Sequence, residues 1–169
     1  GVNRWIVGET VSVIQQTTEA IQKYRFNEAA ESVYHFTWHT FCDWYLEFIK
    51  DPLKHGDDDQ ARKESQACAA WVLSKLLLLL HPFMPFITEE LWSHLSSYSE
   101  VDNGCGLIVS EWPESHNIIV DSEAKEEIGW MIRFISGIRS VRVEMNFPPK
   151  TEIDVLLVGA NTQTCERIV

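Results

Sequence analysis

Two histidines, His35 and His39, stand at i and i+4, a spacing that places both imidazoles on one helix face where they can hold a metal ion. The zinc-hydrolase form of that pair carries a Glu beside the first His. Here Phe36 takes that place and spacing offers no third ligand, so no metal site is expected. Gly104-Cys105-Gly106 opens like a dinucleotide-binding loop, but the sixth position is Val109 and no long helix follows directly, which predicts a plain turn. Phosphate-loop and nucleophile-elbow motifs are missing from the chain, and its carboxylates fall into no catalytic pairing. No catalytic, cofactor-binding or metal-binding residue is assigned.

What remains is an aromatic and polar string, Trp38-His39-Thr40-Phe41-Cys42-Asp43-Trp44-Tyr45-Leu46-Glu47, and the shorter Tyr24-Arg25-Phe26-Asn27 before it. Unpaired RNA bases are held by stacking on rings or guanidinium planes and by hydrogen bonds to their edges, and aromatics beside Arg25 and Asn27 supply both. The same rings, Phe41, Trp44 and Phe48 above all, equally suit the core of a helical bundle. A surplus of them also fits a face that docks another protein or domain.

Positioning such side chains takes helices. Val7, Val11, Ile14, Thr18 and Ile21 recur every three or four residues and predict an amphipathic helix over 4–25. Asn27 is expected to cap a second helix, with Glu28 complementing its dipole, and Asp51-Pro52 to end that helix near Lys50. Its core-facing set is Ala30, Val33, Thr37, Phe41, Trp44 and Phe48, which leaves Phe36, Trp38, Tyr45 and Ile49 on a neighbouring face. An exposed loop, His55-Gly56-Asp57-Asp58-Asp59, leads into a third helix from about Gln60 with Ala69, Leu73, Leu76 and Leu80 on its stripe. Over Trp71 to Leu80 that helix is apolar on every side, which places this end at the centre of a bundle.

His81-Pro82 stops the third helix and Phe83-Met84-Pro85 turns a corner into a short fourth, Phe86 to Leu95, with Ile87, Leu91 and Leu95 inward. Thr88-Glu89-Glu90 reads as its acidic first turn, and the whole 81–92 motif as structural. After the turn-rich stretch Ser96 to Gly106, Leu107-Ile108-Val109 and Ile118-Ile119-Val120 are short strand-like or extended runs. A fifth helix from Ser122 or Glu123 carries Ile128, Met131, Ile135, Ile138 and Val141 inward and ends before Pro148-Pro149; Thr151 to Val158 then alternates with strand periodicity. The expected fold is mainly α. It comprises an antiparallel helical bundle over 1–100, an irregular connector over 101–121, and over 122–169 a small α/β appendage of one helix and one strand.

Composition agrees with a packed domain. The 169 residues are 45% hydrophobic, with 7 Trp, 4 Tyr and 8 Phe, which excludes a disordered chain. The longest apolar run, Leu76 to Leu80, falls far short of the roughly 20 residues of a membrane span. Four widely spaced cysteines, Cys42, Cys68, Cys105 and Cys165, fit reduced thiols in a cytoplasmic protein. The chain opens at Gly1 without Met, and it is expected to be part of something longer. The net charge of −11 argues against a polyanionic partner. However, residues 81–130 hold 1 basic and 10 acidic side chains, whereas residues 1–80 hold 8 and 11 and residues 131–169 hold 5 and 4. The objection therefore falls on 81–130, expected to face away from RNA, and leaves the first two helices and the helix of Arg133, Arg139 and Arg142 available.

Asn3-Arg4-Trp5-Ile6, Tyr24-Arg25-Phe26-Asn27-Glu28-Ala29-Ala30, Phe41-Cys42-Asp43-Trp44-Tyr45-Leu46-Glu47 and the run from His81 to Trp92 occur in this order across residues 3–160. Together they resemble the anticodon-binding region of class I aminoacyl-tRNA synthetases. The Phe-Cys-Asp-Trp-Tyr-Leu-Glu string and Met145-Asn146-Phe147-Pro148-Pro149 are more like the valine members than the isoleucine or leucine ones. The resemblance implies a module that grips the anticodon loop of a valine tRNA and is not itself catalytic. It also implies that the ATP site, the editing domain and a following coiled-coil arm lie outside these residues. The partners it implies are tRNA and the catalytic domain of the same chain, in a monomeric cytoplasmic protein with no membrane contact. Arg25, Asn27, Trp38, Phe41 and Asp43 are then the candidates to stack on or hydrogen-bond the bases, with Lys23 as a phosphate contact.

Overall fold

The computed structural model describes residues 1–55, 58–96, 106–116, 118–148, 150–156, 158, 159, 164 and 167. The loop residues Gly56 and Asp57, most of the turn-rich stretch including Gly104-Cys105, Pro149, Leu157 and Cys165 lie outside them. Among the described residues there are six α-helices, and the chain divides into two compact units, Gly1–Lys125 and Glu126–Val169, with the helix over 122–144 spanning the boundary.

In the first unit, helix α1 (Val2–Gln22) packs against α2 (Phe26–His35) and α4 (Asp59–Leu80). Its buried residues are Trp5, Ile6, Val11, Val13, Ile14 and Ala20, with Thr10 and Thr17 among them. This is a broader stripe than the predicted one, of which Val7, Thr18 and Ile21 are only half-buried. Thr10 is tolerated inside because its hydroxyl donates to the Ile6 carbonyl at 2.7 Å. The α4 N-terminus is capped by Asp58, whose carboxylate accepts from the backbone N–H groups of Gln60 and Ala61 at 2.9 and 3.3 Å. Leu76 to Leu79 are all buried, as an all-round apolar helix end requires.

The predicted second helix is three pieces without a break: α2, a π-helical segment (Phe36–Tyr45) and α3 (Leu46–His55). Its i→i+5 hydrogen bonding lengthens the turn, so the face that meets the core is read at the wrong period by an α-helical template. The buried rings are Phe36, Phe41 and Tyr45, followed by Ile49, while Trp44 and Phe48 are only half-buried. Most of the expected surplus face is therefore core. The helix also passes through Asp51-Pro52 to His55. A proline one turn from a helix end forfeits a single backbone bond, to the Phe48 carbonyl, and α3 carries on for only three more residues.

Helix α5 (Pro85–Ser96) shares only Leu95 with the predicted inward face: Thr88 and Trp92 are buried, Leu95 packs on the core, and Ile87 and Leu91 are 52% and 44% exposed. Trp92 joins Leu77, Leu78 and Leu107 in a small cluster. Because α5 begins at Pro85, the Thr88-Glu89-Glu90 triplet sits a turn inside the helix and is not its acidic N-terminus. Leu107–Val109, expected to be extended, is a 3₁₀ turn.

In the second unit, α6 (Ser122–Glu144) stacks Trp130 on Phe134 at 5.3 Å, and the Arg167 guanidinium lies over Trp130 at 5.6 Å. Residues 151–156, predicted as a strand, carry no regular secondary structure, and no strand occurs among the described residues. A strand is held by its ladder to a neighbour, and alternation by itself does not supply one.

Candidate nucleic-acid interface

The Tyr24-Arg25-Phe26-Asn27 string forms the connection between α1 and α2. α1 ends with the Tyr24 N–H donating to the Ile21 carbonyl at 2.9 Å and the Arg25 N–H to the Ala20 carbonyl at 2.8 Å. This is a Schellman closure, and it puts Tyr24 in the left-handed region at φ 58°. Arg25, not Asn27, is the residue that precedes α2, and no side chain caps this end. The expected Asn27 cap fails because the helix starts two residues earlier, at Phe26, which leaves Asn27 exposed in the first turn.

The rings of the turn point outward. Tyr24 is 82% and Phe26 54% exposed, and they meet edge to face at 6.4 Å with an interplanar angle of 82°. Phe26 also walls a pocket of about 590 Å³ with Thr18, Ile21, Gln22, Pro82, Phe83 and Trp112. The indole N–H of Trp112 donates to the Thr18 hydroxyl at 2.8 Å, which fixes the ring as one wall. A mostly apolar recess with exposed aromatics at its rim offers π faces to a planar ring and admits any base.

Both cations here are already paired. Lys23 binds Glu19 one helical turn back, and Arg25 binds Glu28 at 2.9 Å. Hydrogen bonding to Lys23, and then its charge, hold the Glu19 carboxyl below its ordinary value. Both ion pairs are exposed, so they are weak and exchangeable for a phosphate.

The remaining predicted residues lie further along the α2–π run. Trp38 is 56% exposed. His35 and His39 sit ring to ring at 4.8 Å, and His39 Nδ1 lies 3.3 Å from the Asp43 carboxylate. Among the described residues no group of three or more His, Cys, Asp or Glu is placed to hold a metal ion. Phe41 is corrected: it is 6% exposed and stacks on Tyr45 at 5.7 Å in the core, so neither ring face is open to a base. Trp38 and Asn27 are eleven residues apart in one helical run, roughly 16 Å along the axis at about 1.5 Å per residue. The structure thus gathers Lys23, Arg25 and Asn27 at the turn and leaves Trp38 and Asp43 as a separate exposed patch.

Phe26 belongs to the string read from the sequence, but Pro82, Phe83 and Trp112 were not among the candidates, because only the tertiary fold brings these three segments to one recess. The expectation that 81–130 faces away narrows accordingly, since Pro82, Phe83 and Trp112 belong to that segment and line the pocket. The visible signal was the Tyr-x-Phe spacing at the helix stop.

Among the described residues a helical bundle sets exposed aromatic rings and two ion-paired cations beside an apolar recess. Residues 3–157 match the family described as the anticodon-binding domain of tRNA ligase, and the chain belongs to that family. Among curated relatives it is 47% identical over 167 residues to a valine–tRNA ligase of Agrobacterium fabrum and 48% identical over 167 residues to one of Rhizobium meliloti; each alignment covers 99% of this chain and 17% of the relative. A valine–tRNA ligase of Caulobacter vibrioides is 45% identical over 99% of this chain and 18% of its own length. The chain therefore spans less than a fifth of the relatives it matches. None of the described helices is long and apolar enough to cross a membrane.

Proposed function

We propose that this chain is the anticodon-recognition module of a valine–tRNA ligase, the enzyme that joins L-valine to its tRNA at the expense of ATP, and that valine activation is carried out by parts of the enzyme outside these 169 residues. The observation that carries the reading is Phe26, which walls an apolar recess and meets the exposed Tyr24 ring edge to face, with Arg25 between the two in sequence. An unstacked anticodon base enters the recess against Phe26 and Trp112. Arg25 exchanges Glu28 for a phosphate or a base edge, and Asn27 reaches base edges from the first turn of α2. Lys23 meets the backbone after releasing Glu19, and Trp38 and Asp43 extend the contact along the helix.

With two already paired cations at the turn, stacking dominates and few counterions are released. The test is a titration of the chain with a valine-tRNA anticodon stem-loop and with the same hairpin carrying another anticodon. The valine hairpin is expected to bind more tightly, with a log–log salt slope no steeper than about −2. Equal binding of the two would remove the valine assignment, and no binding of either at low salt would remove the RNA reading.

A further inference from the structure

Two helices of this chain close in the same way, and the pairing exposes an oddity at the turn. α6 ends with the Phe147 N–H donating to the Arg142 carbonyl at 2.9 Å and the Asn146 N–H to the Val143 carbonyl at 3.1 Å, with Asn146 in the left-handed region at φ 53°. α1 ends with the same two bonds at Tyr24, φ 58°. Among the described residues these two are the only non-glycine positions with positive φ. Asparagine is one of the residues that adopts this conformation readily, and glycine is the usual choice. Tyrosine, with its Cβ against the following carbonyl, pays a steric penalty.

Folding gives no return for that penalty. The Tyr24 ring is 82% exposed and its ring contact is an edge-on one with Phe26, itself more than half exposed. Glycine or asparagine would close α1 with the same backbone bonds and less strain. What tyrosine alone provides is a ring held outward two residues before Phe26, beside the recess. A strained residue that the core does not need points to a role outside folding.

We propose that Tyr24 is a base-stacking residue. Its left-handed backbone holds the ring out to take the face of the unpaired base adjacent to the one that enters the recess against Phe26. This rests on the RNA reading above and adds to it a second stacking position.

The experiment compares the 169-residue chain with its Tyr24→Gly, Tyr24→Asn and Tyr24→Phe variants in thermal melts and in titrations with the valine-tRNA anticodon stem-loop. Tyr24→Gly and Tyr24→Asn should each melt about 2 °C higher as the strain is relieved. Both should bind the hairpin about tenfold more weakly, the loss expected for one stacked base. Tyr24→Phe, which keeps the ring and the strain, should match the parent in both. The proposal is overturned if Tyr24→Gly and Tyr24→Asn bind as the parent does, or if both melt lower. If the parent itself binds no hairpin, the RNA reading has failed and this proposal falls with it; parent binding with indifferent variants removes Tyr24 alone.

Discussion

Two corners of the bundle are built from similar material, dense in aromatic rings, charge and helix-ending residues, and they use it in opposite directions. At 81–91 the Thr88 and Glu89 side chains spend their polar atoms on other parts of the fold, while Phe86 and Glu90 stand in solvent. The fully buried Thr88 hydroxyl lies 2.8 Å from both His81 Nδ1 and the Met84 carbonyl. The Glu89 carboxylate accepts the backbone N–H groups of Leu107 at 2.9 Å and Ile108 at 3.2 Å, tying α5 to the 3₁₀ turn. At 23–27 the backbone satisfies itself through the helix closure, the charges sit in exposed pairs, and the rings face out. The first corner is a clamp and the second is a surface. Residue type does not separate them; the direction in which polar atoms are consumed does.

The sharpest way to break this contrast is at the clamp. Glu89→Ala removes the acceptor of two backbone N–H groups, one of them partly buried, and is expected to cost about 2–3 kcal/mol in urea unfolding, since hydrogen bonds to a charged group are the strong ones. Hairpin binding, measured well below the melting temperature, should not change. A loss of binding at unchanged stability would mean that the clamp also reads RNA. Gly106→Ala tests the same contact from the other side, because an added Cβ would stand 2.6 Å from Glu89 Oε1. It should cost about 1–2 kcal/mol, as overpacking does. In a Glu89→Ala background most of that cost should vanish, and a double-mutant cycle with no coupling would show that the two do not oppose one another.

The sequence and the fold agree where local chemistry decides and part where tertiary geometry does. The helical character and the central Leu76 to Leu79 end follow from periodicity and helix-stop residues alone, whereas the division of the second helix into three pieces and the place of Pro82 and Phe83 on the recess do not. The core face of the second helix does not, because ten residues of it are π-helical and no α-helical template anticipates that Phe36, Phe41 and Tyr45 share a face. Phe41 stood both in the expected core set and among the base-binding candidates, and the structure keeps only the first role. Arg25, Asn27 and Lys23 were legible since one short turn holds them all. The recess was not, because Phe26, the Pro82-Phe83 pair and Trp112 are dozens of residues apart in the chain.

At the surface corner the expectation reverses. Phe26→Ala should weaken hairpin binding about tenfold through lost stacking. Its stability should change by less than about 1 kcal/mol, since more than half of the ring is already in water. A large fall in stability with unchanged binding would make Phe26 a packing residue and reduce the contrast between the corners to one of exposure.

The smallest effect lies in the ion pairs that hold the turn's cations. Glu19 competes with RNA phosphate for Lys23, so Glu19→Gln should tighten hairpin binding about twofold at low salt and steepen the salt slope by up to about one unit. The pH dependence follows from the sign of the shift. Lys23 depresses the Glu19 pKa, so the pair is intact at all pH values above the ordinary 4.5 and is lost only as pH falls through the lower folded value. Parent and Glu19→Gln should therefore keep their difference in affinity from pH 7 down to about 4.5 and converge only below it. Convergence already near pH 6 would show that Glu19 is not depressed. A difference that did not respond to salt would show that Lys23 does not meet phosphate, leaving the corner to bind through its rings and Arg25 alone.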